Sequence, residues 1–193
     1  MIPGNIFNDI TKADWSKVEK RLGQSNRKKF TFINDGCYAK VYDLAKSRIL
    51  KITADRSDAL SSKYFMDNPN PLVVKIHDVF ELSSIGRYFI VANKLNVLDK
   101  EWERFIFTYG LPNRYTLSRL IKRFSNIEEP SLKRKLNWAK RFYNFHNSVG
   151  FCCEDLHDKN IMLDARGFPR ISDLGDSYRS TYMVSESLIV DEI

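Results

Sequence analysis

The sequence predicts an α+β protein in two lobes, the first built mainly of antiparallel strands and the second mainly of helices. Three observations carry that expectation. Residues 29–95 hold five runs rich in β-branched and aromatic residues, set apart by turn residues and interrupted by one helical stretch. From residue 96 onward the apolar spacing lengthens to the helical period. No repeat or low-complexity linker divides the chain, so a short crossing is expected near Asn93 to Asn96. The expected division is an N-terminal helical extension at 1–28, the strand lobe at 29–95, and the helical lobe with a short tail at 96–193. With 193 residues, 43% hydrophobic and 13% aromatic, the chain can bury a substantial core, and disorder throughout is excluded.

Each element has a local reason. In "TKADWSKVEKRLG", Thr11 is an N-cap, Asp14 lies in the first turn, Trp15, Val18 and Leu22 share a face, and Gly23 is a stop. "KFTFI", "YAKVYDL" and "RILKI" read as three antiparallel strands separated by "NDG" and "AKS". A short helix is expected over Ser57 to Met66, then "NPNP" breaks the chain before the strands "LVVKIHDVFEL" and "RYFIVANKL". Helices are expected over Lys100 to Thr108, Tyr115 to Phe124 and Ser131 to Ser148. In the last, Leu132, Leu136, Ala139, Tyr143 and His146 form one stripe, which Trp138, Phe142 and Phe145 widen. Lys133, Arg134, Lys140 and Arg141 share the opposite side with Asn137 and Asn144, a solvated face or a docking face for an acidic partner.

The excess of 31 Lys and Arg over 24 Asp and Glu gives a formal charge of +7, which attracts phosphates without choosing among nucleotide, nucleic acid and phosphorylated substrate. Cys37 and the adjacent pair Cys152 and Cys153 lack metal-ligand spacing and read as reduced thiols. The N-terminal stretch resembles no signal peptide, and no 18-residue apolar run occurs, so a cytoplasmic protein without membrane contact is expected.

The chemistry concentrates in "CCEDLHDKNIM" and "ISDLGDS": Asp155, then Asn160 five residues later, then Asp173 thirteen beyond that. Singly, each is an ordinary turn former. Together with a glycine-containing strand turn, a strand lysine, a helix, two further strands and a long helix before them, they resemble the protein-kinase-like superfamily over Phe32 to Asp176. The resemblance implies a two-lobed fold: a five-stranded antiparallel N-lobe with one helix, and a reduced, mainly helical C-lobe without the activation segment and distal helices.

It also implies ATP and Mg²⁺ as cofactors. Asp155 corresponds to the catalytic Asp, which accepts or orients the substrate hydroxyl's proton. Asn160 and Asp173 correspond to the metal-binding pair, with Leu174 in place of the D-F-G phenylalanine. In "NDGCYAKVY", Gly36 keeps one glycine of the phosphate loop while Asn34 and Ala39 stand at the other two places. Val41 falls where the family packs the adenine, and Lys51 in "ILKI" resembles the lysine that binds the α and β phosphates. Asn93, at the crossing, joins the nucleotide-binding set. The family's helix glutamate is missing, and Asp58 is the best candidate partner for Lys51 although its side chain is shorter. His157 and Lys159 could each meet the γ-phosphate, and His157 could equally hold the loop by a structural hydrogen bond.

Cys153 and Glu154 replace the usual His and Arg before the catalytic Asp, so regulation through an activation-loop phosphate is not expected. "HDKNIM" and "PRISD" resemble pieces of the early host-shutoff protein kinases of podophages. That implies a Ser/Thr protein kinase in a host cytoplasm, with protein substrates that include host nucleic-acid enzymes and no direct nucleic-acid binding. Two alternatives stay open: a kinase-like ATPase of a larger complex of the transfer-RNA-modification type, and a pseudokinase. The segment after Gly175 carries Ser177, Tyr178, Ser180, Thr181 and Tyr182, and is either mobile and autophosphorylated or packed as regular structure. The oligomeric state is left open.

Overall fold

The computed structural model describes residues 10–23, 30–35, 39–44, 47–108, 119, 122, 128–148, 160–174 and 191–193. The chain divides into two units. One comprises Met1–Asn68, Lys75–Lys94 and Glu186–Ile193, the other Pro69–Val74 and Leu95–Ser185.

In the first unit, helix α1 (Lys12–Arg21) starts where the sequence places its cap. Thr11 Oγ1 accepts from Asp14 N at 3.2 Å, and Asp14 Oδ2 accepts from Thr11 N at 3.0 Å, closing a capping box. Hydrogen bonds from the Thr11 side chain and backbone hold the Asp14 carboxyl below its ordinary range. Gly23, at φ +62°, turns the chain away. Thr11→Ala is expected to cost about 1 kcal/mol, readable as a lower urea midpoint at unchanged m-value.

Strands β1 (Thr31–Asp35), β2 (Ala39–Leu44), β3 (Arg48–Thr53), β4 (Ile76–Leu82) and β5 (Arg87–Asn93) form the five-stranded antiparallel core of the sheet, joined by β8 (Asp191–Glu192) in the order β1-β2-β3-β5-β4-β8. Alternation along the strands assigns the two faces. Leu50 and Ile52 face α1, where Val18 joins Leu44, Phe80, Leu82, Phe89 and Val91 in one apolar cluster. Phe80 and Phe89 are register partners whose rings stack at 5.2 Å. The N-terminal helix thus supplies a core residue to the sheet. The opposite face carries helix α2 (Arg56–Asp67).

Two features were not legible in the sequence. The run from Leu72 to Leu82 is not one strand, since β4 begins at Ile76. Leu72 to Val74 belong to the second unit, where Ile171 N donates to Leu72 O at 2.7 Å and Val74 N donates to Ile171 O at 2.9 Å. An apolar run records burial and not the identity of the strand it pairs with. The second feature is β8, which lies parallel to β4. Arg21 clasps it, donating from Nε to Asp78 at 3.0 Å and from Nη2 to Asp191 at 2.7 Å. Those two hydrogen bonds, Asp78 first, hold the guanidinium protonated above its ordinary range. Residues 175–190, including Ser177 to Tyr182, lie outside the described residues.

The second unit contains helices α3 (Lys100–Thr108) and α4 (Pro130–Ser148) and the hairpin β6 (Ile161–Leu163) and β7 (Pro169–Ile171). The Glu129 carboxylate caps α4, accepting from Ser131 N at 3.1 Å and Leu132 N at 2.8 Å. The buried stripe of α4 is centred on Leu136, Trp138, Ala139, Phe142 and Phe145. Leu132 and Tyr143, expected at its heart, are only half-buried, because Trp138 draws the face toward itself by packing on Trp102 and Phe142. The His146 side chain lies outside the described residues, as does most of the expected Tyr115 to Phe124 helix, of which Arg119 and Lys122 are helical. Among the described residues no helix is long and apolar enough to cross a membrane.

Asp164 organises the hairpin turn. Its carboxylate accepts from Arg166 N and Phe168 N, both at 2.9 Å, and from Arg170 Nη2 at 2.6 Å. Burial opposes ionisation of this carboxyl, but the Phe168 N–H, the Arg170 guanidinium and the Arg166 N–H outweigh it, so its pKa lies below the ordinary 3.8. A depressed carboxyl contributes stability above its unfolded pKa and loses it as pH falls through the folded one. Acid titration below pH ~4 should therefore loosen the hairpin. Trp138 fluorescence reports this, since Trp138 Nε1 donates to Pro169 O at 3.0 Å. Arg170→Ala should move the transition to higher pH, and an unmoved midpoint would rule this out.

Candidate active site

In the first unit the sheet register builds a row of side chains across four strands. Asn34 pairs with Val41, Val41 with Lys51, and Lys51 with Ile90. Directly opposed residues point to the same face of a sheet, so Asn34, Val41 and Lys51 stand side by side on the face that α2 covers. The register shift between Phe32 and Asn34 brings Asn34 into this row. Ala39, half-buried, opens β2 opposite Thr53. Gly36 lies outside the described residues.

Lys51 Nζ meets Asp58 Oδ2 at 2.7 Å, with side-chain exposures of only 12% and 4%. The short aspartate reaches because α2 starts almost at once after β3. Asp55 caps it, accepting from Ser57 N at 2.8 Å, and Asp55 N in turn donates to Thr53 Oγ1 at 3.0 Å. Asp58 thereby falls in the first helical turn, where the backbone N–H groups favour a carboxylate. A glutamate farther along a more distant helix would serve the same end. The Asn93 side chain engages His77, its Oδ1 lying 2.6 Å from His77 Nε2, while the Asn93 backbone N–H donates to Lys75 O at 2.9 Å. No sequence signal marked His77, one of three polar residues, with Asp78 and Glu81, in β4.

In the second unit the hairpin closes the thirteen-residue gap between Asn160 and Asp173. Pairing runs from Ile161–Ile171 to Leu163–Pro169, and Ser172 N donates to Asn160 O at 2.9 Å, so Asn160 and Asp173 flank the open end of one hairpin. Both are half-buried, and Leu174 is fully buried. An amide oxygen and a carboxylate are the hard donors that suit Mg²⁺, which takes few protein ligands and completes its shell with phosphate and water. Asp155, His157 and Lys159 lie outside the described residues. Among the described residues no three His, Cys, Asp or Glu side chains cluster as a metal site.

No protein-family model and no curated protein matches the chain. Among solved structures, it is similar to a thermostable mutant of aminoglycoside phosphotransferase APH(4)-Ia in its apo form, with TM-score 0.44 and 8% identity over 82% of this chain and 70% of that one. A second structure of aminoglycoside phosphotransferase APH(4)-Ia aligns with TM-score 0.42 and 10% identity, covering 84% of this chain and 74% of that one. Rad53 residues 1–466 in complex with AMP-PNP align with TM-score 0.42 and 17% identity, covering 83% of this chain but only 43% of that one. Likeness of this degree assigns neither substrate nor activity to the chain.

Proposed function

We propose that the chain is an ATP-dependent phosphotransferase acting on protein hydroxyls, with serine and threonine preferred. The observation that carries this reading is the buried Lys51–Asp58 ion pair beside Val41 and Asn34. A charge pair withdrawn from water is a costly way to stabilise a fold, and its use here is to hold an ammonium in one place for anionic ligand oxygens. Lys51 binds the α and β phosphates, Asp58 positions it, Asn34, Gly36 and Ala39 shape the phosphate turn, and Val41 packs against the adenine. Asn93 borders the nucleotide, with His77 fixing its amide. Asn160 and Asp173 hold Mg²⁺, which when bound neutralises charge on the phosphate oxygens.

In the transfer, the substrate hydroxyl oxygen bonds to the γ-phosphorus while the bond from that phosphorus to the ADP oxygen breaks, and the hydroxyl proton passes to Asp155. Lys159 and His157 stabilise the transferring group from the same loop. The choice of protein over small-molecule substrate rests on the short stretches "HDKNIM" and "PRISD", which resemble phage host-shutoff kinases and suggest host nucleic-acid enzymes as targets in a host cytoplasm.

Incubation with γ-labelled ATP and Mg²⁺, alone and with cell lysate, tests this. Label on protein is the expected result. Phosphate release without protein labelling would replace the reading with an ATPase, and nucleotide binding without either would replace it with a pseudokinase.

A further inference from the structure

The second unit carries a cationic hollow of about 470 Å³ that the nucleotide assignment does not use. Its floor is apolar, with Leu72, Trp138 and Pro169 beneath and Pro71 at the edge, while α4 and the hairpin turn supply the rim. Five cations line it, Lys133, Arg134, Arg141, Arg166 and Arg170, and no acidic residue does among the described residues. Two of the five are held in place. Arg134 Nη2 donates to Gly167 O at 2.7 Å with its guanidinium 4.7 Å from the Phe168 ring centre, and Arg170 pairs with Asp164 at 2.6 Å. Lys133, Arg141 and Arg166 are exposed and make no ion pair among the described residues.

We propose that this groove docks an extended acidic segment of a partner protein. Charge complementarity supplies the first reason: an apolar floor under an all-cationic rim fits a peptide that alternates apolar and carboxylate side chains. Spacing supplies the second. Lys133, Asn137 and Arg141 follow one another at four-residue steps along α4, which sets the two cations about 12 Å apart along the axis. In an extended chain, residues four apart lie ~13 Å apart on the same side, with the residue between them facing the same surface. The fit is an acid-x-apolar-x-acid segment, its carboxylates on Lys133 and Arg141, its central side chain on the Leu72 floor, and Asn137 bonding its backbone. Arg166 closes the groove from the hairpin. Nucleic acid fits less well, because the aromatic faces that would stack bases are taken: Arg134 covers Phe168, and Trp138 is buried against Phe142.

Fluorescence anisotropy on the full chain, with a labelled peptide centred on Glu-Thr-Leu-Thr-Glu, tests the proposal. Binding should weaken with salt and fall by roughly tenfold or more in the variant carrying Lys133→Glu and Arg141→Glu. A peptide with Lys at both Glu positions should bind that variant in preference to the original chain, an exchange that loss of folding cannot mimic. Circular dichroism checks the helix, and Arg166→Glu, on the turn, repeats the measurement without touching α4. The proposal is overturned if the Gln-for-Glu peptide binds as well, if charge reversal leaves affinity unchanged, or if oligothymidylate binds more tightly at the same residues.

Discussion

Asp173→Ala is expected to lower Mg²⁺-dependent ATP turnover by roughly a thousandfold, equivalent to ~4 kcal/mol of transition-state stabilisation. In the proposed site the carboxylate is one of two hard oxygen donors at the open end of the β6–β7 hairpin, and alanine would offer a metal ion no ligand. Folding should survive, because the hairpin is closed by backbone bonds, including that from Ser172 N to Asn160 O, which the substitution leaves in place. Coupled ADP release at saturating Mg²⁺, with circular dichroism on the same sample, checks both halves. Undiminished turnover in a folded variant would remove the phosphotransfer reading. Asp155→Asn should differ in kind, keeping nucleotide affinity while transfer is lost, since a base acts in the chemical step.

Asp58→Ala is expected to destabilise the first unit by about 3 kcal/mol and to weaken ATP binding as well. The loss arises because the Lys51 ammonium is only 12% exposed, so solvent replaces the lost Asp58 carboxylate poorly. A double replacement by apolar residues, Lys51→Met with Asp58→Leu, separates structure from function. Stability should return, because a packed apolar pair avoids the desolvation cost of two charges, while ATP affinity should not. Urea unfolding and nucleotide titration of the two variants decide the matter. If the double variant binds ATP normally, the ion pair is structural and Lys51 has no place in the site.

Local chemistry was legible in the sequence wherever neighbours along the chain supply it. Thr11 and Asp14 form their capping box from adjacent residues, and the strands β1 to β3 follow from alternation between turn residues. Helix α4 was legible in extent but displaced in face, because large aromatic rings on neighbouring elements, here Trp102 against Trp138, outweigh the angular average of smaller side chains. The short hairpin between Asn160 and Asp173 was legible from the spacing of the two residues, and the strands β6 and β7 form it.

By itself the sequence determined the α+β class and the strand-rich first half, since periodicity, caps and turns are properties of short stretches. Tertiary structure alone decided which distant residues meet. It paired Lys51 with Asp58 through the short β3–α2 link, joined Leu72 to Val74 with Ile171 in place of β4, laid Asp191 beside Phe80, and set Arg166 and Arg170 across from the cations of α4. Such contacts depend on register and on the balance of burial against charge desolvation, and a linear pattern encodes neither.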